Sequence, residues 1–130
     1  MDGMLASTKM RTVLLVEEER ALRALMVIYL KREGCTVIAA QSAQEAIESW
    51  PGHAGQIELL IADVRMRDMG GLRLAEILTA LKPGLKVIFC SGGHNEAVEQ
   101  MVASHAGYRF LAKPFSPKQL RKILVQVFDE

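Results

Sequence analysis

The sequence has no apolar run near the ~18 residues that a bilayer-crossing helix requires, so no membrane span is expected. Neither charge is in excess: 16 basic against 15 acidic residues leave a net +1. No basic tract stands out, which argues against nucleic acid and anionic membrane as partners. Cysteine is scarce. Cys35 and Cys90 form no CxxC motif and no cluster with histidine. Both lie in apolar runs, so buried reduced thiols are expected rather than a disulfide or a metal site. The opening MDGMLASTK has too short an apolar segment and too few early positive charges for a signal peptide. Residues 1 to 10 show no period and read as a loose leader. Repeats, linkers and low-complexity segments are missing as well. What remains is 130 residues, half of them apolar and 24% charged, enough for one ordinary domain with a proper core. The expectation is a cytoplasmic protein with that domain over residues 11 to 130.

What is present is an alternation. Thr12-Val13-Leu14-Leu15-Val16 is a β-branched-rich run that stops at Glu17-Glu18-Glu19. Leu22, Leu25, Met26, Tyr29 and Leu30 then recur at helical spacing, and Gly34 ends that helix. Thr36 to Ala39 reads as a second strand. Ser42-Ala43-Gln44-Glu45 is a capping box for a helix carrying Ala46, Ile47 and Trp50 and ending at Pro51-Gly52. Ile57 to Ala62 is a third strand. Leu74, Ala75, Leu78 and Leu81 mark a helix that stops at Lys82-Pro83. Val87 to Cys90 is a fourth strand, followed by a more polar helix with Ala97, Val98, Met101 and Val102. Tyr108 to Ala112 is a fifth, followed by a helix capped by Ser116, with Pro117 at its first position. Trp50 and the methionines read as core or leader residues, and His94 and His105 as exposed helix residues. Five short, continuously apolar strands alternating with five amphipathic helices mean a doubly wound α/β domain with a parallel sheet covered on both faces.

In such a sheet the C-terminal strand ends share one edge, where open α/β folds place their chemistry. Strand one ends in Glu17, Glu18 and Glu19; strand three in Asp63; strand four in Ser91; strand five in Lys113. Carboxylates gathered at one point repel unless a cation neutralises them, and an all-oxygen site suits Mg²⁺. A lysine and a hydroxyl beside them would hold phosphoryl oxygens. A carboxylate can itself be the nucleophile, giving an acyl phosphate. The residues thus point to an aspartate that accepts phosphate with Mg²⁺ assistance.

The stretches VLLVEEERALR, LLIADVRMRDMGGL, VIFCSGG and FLAKPFSP resemble the motifs of bacterial two-component receiver domains (CheY-like response regulators), over residues 12 to 128. The resemblance implies a flavodoxin-like sheet of order 2-1-3-4-5. It implies Asp63 as phospho-acceptor, Glu17 and Glu18 as the acidic pair that holds Mg²⁺, and the Arg65 backbone carbonyl as a further ligand. It implies Ser91 as the switch hydroxyl, Lys113 as the phosphate-contacting ammonium with a cis Lys113-Pro114 bond, and Phe110 as the rotating aromatic. A histidine kinase or phosphotransfer protein would be the phosphate donor, and the protein a regulatory monomer or weak dimer rather than an enzyme. It is compatible with a single-domain protein or with a receiver excised from a hybrid kinase.

Three positions depart from the family's pattern. Its acidic pair usually ends in aspartate, where this chain has Glu18; an extra methylene moves a carboxylate by roughly 1.5 Å, so weakened metal binding is expected. Arg67 stands where the family often has proline, and Gly93-His94 where it often has an aromatic. Each motif alone has a plainer reading: the glutamates as an acidic helix start, Asp63 as a turn residue, Ser91-Gly92-Gly93 as a turn, Lys113 as a solvated lysine. Three functions compete. First is a phospho-accepting switch; second, supported by Glu18, is a pseudo-receiver that binds partners without phosphorylation. A Mg²⁺-dependent phosphatase ranks third, because such enzymes need an acid two residues after the nucleophile and Arg65 is there. Flavin is disfavoured by three glutamates where a phosphate cradle would be needed.

Overall fold

The computed structural model describes residues 11–93 and 95–128; the leader expected over residues 1 to 10, and His94, lie outside them. The strands are β1 (Thr12–Val16), β2 (Thr36–Ala40), β3 (Ile57–Asp63), β4 (Lys86–Ser91) and β5 (Tyr108–Ala112). The helices that alternate with them are α1 (Arg20–Arg32), α2 (Ala43–His53), α3 (Gly71–Leu81), α4 (Glu96–Ser104) and α5 (Pro117–Phe128). All pairings are parallel, and the sheet order is β2-β1-β3-β4-β5. The chain leaves β1 to one side for β2 and returns on the other for β3, so the switch point of this doubly wound sheet lies between β1 and β3.

The strands are apolar without a break because both faces are covered. Val13, Leu15, Leu59, Ile61, Ile88 and Cys90 point to one face and pack with Met26 and Leu30 of α1 and Leu120, Ile123 and Leu124 of α5. Their neighbours Leu14, Val16, Leu60, Ala62, Val87 and Phe89 point to the other, against Trp50, Leu74, Leu78 and Val98 of the remaining helices. Alternate residues of one strand thus seed two cores.

Two helix expectations differ from the structure. The second helix does not stop at Pro51-Gly52 but runs to His53 with Pro51 inside it. A proline withdraws its N–H and crowds the carbonyl four residues back, but with only two helical residues after it the disturbance is confined to the last turn. Leu81, placed on the apolar stripe of α3, is 63% exposed; as the last residue of the helix it has left the covered face. Half of the capping box forms as expected, the Ser42 hydroxyl accepting from the Glu45 N–H at 3.0 Å, while the Glu45 carboxylate reaches past the cap to accept from the Gln41 N–H at 2.8 Å.

Two glycines are required by geometry. Gly34 closes α1 at φ 90°, which other residues rarely adopt. Gly71 opens α3 directly behind Asp63: a Cβ there would stand 2.4 Å from the Asp63 carbonyl oxygen.

Both cysteines are free and buried. Burial pushes each thiol up to about 12, and for Cys90 outweighs the ammonium of Lys113. The folded protein should therefore resist an aromatic disulfide reagent at about pH 8, since the thiolate is the reactive form, and both thiols should react once denaturant is added. Rapid labelling of the folded protein would contradict this burial.

Candidate functional site

The register brings the strand ends level. Val16 pairs with Ala62, Asp63 with Cys90 and Ser91 with Ala112, so Glu17, Asp63, Ser91 and Lys113 step across one edge. Backbone bonds carry the ladder one residue further: Glu17 N–H donates to Ala40 at 3.1 Å, Val64 N–H to Cys90 at 2.8 Å and Lys113 N–H to Ser91 at 2.8 Å. These bonds fix the base of each candidate side chain.

Lys113 is the hub. Its Nζ donates to Glu17 Oε1 and to Asp63 Oδ2, each at 2.9 Å. Side-chain exposure is 3% for Glu17, 14% for Asp63 and 19% for Lys113, so the triad is largely closed and Asp63 is the more open of its two carboxylates. Burial alone would lower the Lys113 pKa, but the hydrogen bonds and charges of Glu17 and Asp63 outweigh it and raise it above the ordinary lysine value. The Lys113-Pro114 peptide is cis, as the resemblance implied.

Glu18 and Ser91 stand at the same edge but bond elsewhere, and Phe110 lies two residues back within β5. Glu18 Oε2 accepts from the Arg67 N–H at 2.6 Å, and so turns to the loop after β3. The buried Ser91 hydroxyl donates to the Gly93 carbonyl at 3.1 Å and accepts from the Gly93 N–H at 3.3 Å. Phe110, 37% exposed, lines a groove of about 280 Å³ with Ser91, Gly92, Gly93 and Glu99. His105 is exposed at the end of α4 and stacks on Tyr108, ring centroids 4.1 Å apart.

The three carboxylates expected around a metal do not converge: among the described residues no group of three or more His, Cys, Asp or Glu side chains is arranged to hold an ion. The reason is visible in their partners, since Lys113 lies between Glu17 and Asp63 and Glu18 is engaged by Arg67. Glu17 and Asp63 still present hard oxygens from adjacent strand ends. That donor set fits Mg²⁺, which commonly takes one or two carboxylates and keeps its waters.

Two contributors escaped the sequence reading. The Arg23 guanidinium donates to the carbonyls of Glu17 at 2.8 Å and Glu18 at 3.3 Å, holding the β1–α1 turn in shape. The available signal was a basic residue near a helix start, where the macrodipole disfavours it. Asp68 accepts from the Gln44 N–H at 2.8 Å and from the Met69 N–H at 2.9 Å. The Gln44 bond comes first in holding its carboxyl below the usual range.

A family profile described as a response regulator receiver domain matches residues 13–125. The chain is 37% identical over 119 residues to the sensor kinase CckA of Brucella abortus, covering 92% of this chain and 13% of that protein. It is 33% identical over 109 residues to the C4-dicarboxylate transport transcriptional regulatory protein DctD of Rhizobium meliloti, covering 84% of this chain and 23% of that one. The chain thus spans less than a quarter of either relative. Among solved structures, the receiver domain of the hybrid histidine kinase CckA matches at 30% identity with a TM-score of 0.74, covering 89% of this chain and 98% of that one. A receiver domain protein from Clostridium thermocellum matches with a TM-score of 0.81, covering 92% and 95%, at 20% identity, a likeness of fold alone. No helix among the described residues is long and apolar enough to cross a membrane.

Proposed function

Because the chain belongs to the response regulator receiver domain family, we propose that it is a phospho-accepting switch whose acceptor is Asp63, working in the cytoplasm. The observation that carries this is the Lys113 ammonium held 2.9 Å from both Glu17 and Asp63 at the sheet edge. Lys113 occupies Oδ2 and leaves Oδ1 to attack the phosphorus of a phosphohistidine. The P–N bond breaks as the P–O bond forms, the imidazole leaves with the electron pair, and Asp63 becomes an acyl phosphate. Lys113 then neutralises the phosphoryl oxygens.

Three carboxylates against one ammonium leave two negative charges to offset. Glu17, Asp63 and the Arg65 carbonyl would hold Mg²⁺, which supplies charge neutralisation of the transferring group; Glu18 would join only by releasing Arg67. Ser91 would leave Gly93 to donate to a phosphoryl oxygen, and Phe110, lining the same groove, would follow it.

The donor is a histidine kinase or phosphotransfer protein. An apolar groove of about 460 Å³ runs beside Lys113, lined by Leu22, Leu25, Tyr29, Pro114 and Phe115, and would seat the helix that presents the histidine. Leu25→Asp should slow transfer from a phosphorylated donor protein by about tenfold, with labelling by acetyl phosphate as the control. Equal slowing with both donors would remove the groove from the docking surface.

Incubation with acetyl phosphate and Mg²⁺, followed by intact mass and peptide mapping, tests the central reading: an adduct on the Asp63 peptide is expected, and its absence at saturating donor would discard it. The second reading, a pseudo-receiver, is favoured by the engagement of Glu18 with Arg67. It requires that no adduct form while partner binding persists.

A further inference from the structure

The loop from Val64 to Gly70 carries the Arg65 carbonyl and closes one side of Asp63. It has no regular structure to satisfy its donors, and Arg67 within it is exposed, so a bond made there holds the loop in competition with water. The Val64 N–H goes to Cys90, the Gly71 N–H back to Val64 at 3.0 Å, and the Met69 N–H to Asp68. The Arg67 N–H goes to none of these near neighbours. It goes to the carboxylate of Glu18, 49 residues earlier in the chain, at 2.6 Å.

The length of the side chain decides whether that bond exists. An aspartate at position 18 would fall short by roughly 1.5 Å, leaving donor and acceptor beyond hydrogen-bond range. A proline at position 67 would have no N–H to give. Two of the three departures from the receiver pattern, Glu18 and Arg67, are therefore the two ends of one hydrogen bond. Proline stiffens a loop through its fixed φ; here a long carboxylate from the neighbouring turn does it through space. The anchoring extends both ways. Arg23 holds the backbone of Glu17 and Glu18, and Asp68, next to Arg67, is fastened to the first turn of α2 through Gln44.

We propose that Glu18 is a positioning residue that fastens the β3–α3 loop to the β1–α1 turn through the Arg67 N–H, and is not a metal ligand. Glu18→Gln keeps both the reach and an acceptor oxygen; Glu18→Asp keeps the charge but loses the reach; Glu18→Ala loses both. Only the phosphorylation consequence rests on Asp63 being the acceptor; the fastening itself does not.

The experiment is solvent exchange of the Arg67 amide by NMR in wild type and the three variants, read as a ratio to Leu60 in the β3 core. Arg67 should exchange at least about tenfold faster in Glu18→Asp and Glu18→Ala, and within about threefold of wild type in Glu18→Gln. Saturating Mg²⁺ should leave wild-type Arg67 exchange unchanged. Wild-type-like exchange in Glu18→Asp overturns the proposal. So does release of Arg67 by Mg²⁺ in the wild type, which would make Glu18 a metal ligand. A protein with the expected exchange pattern but no adduct on Asp63 would refute the phospho-acceptor reading and leave the fastening intact.

Discussion

Asp63→Asn should reduce uptake of phosphate from acetyl phosphate at least about hundredfold, to the level of the uncatalysed background, because a carboxamide oxygen is not a competent nucleophile. The substitution isolates the chemistry well. Asparagine has the same size, and its carbonyl can still accept from the Lys113 ammonium, which now lies 2.9 Å from Oδ2. Glu17, which shares the Lys113 ammonium with it, cannot replace it. Glu17 is only 3% exposed and already accepts from Lys113 through Oε1 and from the Glu19 N–H through Oε2, so a donor has no approach to it. Asp63, at 14% exposure, is the more open carboxylate. Asp63→Glu adds a control for position: it keeps the nucleophile but moves it by roughly 1.5 Å, and a displacement of ~1 Å at a reacting centre is enough for about a hundredfold loss. Radiolabel incorporation measures all three proteins. Equal labelling of wild type and Asp63→Asn would place the phosphate elsewhere and end the reading.

Most of this architecture was legible because it depends on local pattern. The strand at Leu59–Ala62 reads as buried on both faces from its run of apolar residues, and Leu14 and Leu15 fall on opposite cores as the period of two requires. The convergence of Glu17, Asp63 and Lys113 follows from the same logic: in a parallel sheet every strand delivers its last residue to one edge. The strand order required the resemblance, since many orders satisfy one alternation. What the pattern did not reveal was the direction of each terminal polar group. Glu18 follows Glu17 directly, but it faces Arg67 rather than the triad. Ser91 is at the correct edge and bonds Gly93. Those choices turn on about an ångström of side-chain reach and on which backbone N–H lacks a partner, quantities that exist only once loops from distant parts of the chain have met. Arg23 shows the same limit: it looks like a misplaced basic residue until the carbonyls of Glu17 and Glu18 are in view.

Lys113→Met should lower the rate of phosphate uptake by about a hundredfold, the size of effect that follows loss of one preorganised charge partner at a reacting centre. It should also destabilise the fold. Removing one member of a buried ion pair commonly costs about 3–5 kcal/mol; with 19% exposure at Lys113 and 14% at Asp63, solvent screening reduces this to about 2 kcal/mol. The pH dependence gives the sign independently of the rate. The folded-state pKa of Lys113 is raised, with burial opposing the shift and the pairing with Glu17 and Asp63 carrying it. A raised lysine pKa means that folding is favoured by the bound proton. The stabilisation is therefore complete below the unfolded-state value near 10.5 and declines as pH rises through the folded-state value above it. Denaturant midpoints of wild type and Lys113→Met should differ by a constant amount from neutral pH to about 10, then converge. Lys113→Arg separates charge from geometry. A guanidinium stays charged throughout that range, so its stability should not show the alkaline decline, while its planar fork cannot reproduce one ammonium centred between two carboxylates. Wild type and Lys113→Met with indistinguishable midpoints at neutral pH would mean that the ammonium contributes nothing to holding Glu17 and Asp63 at the sheet edge.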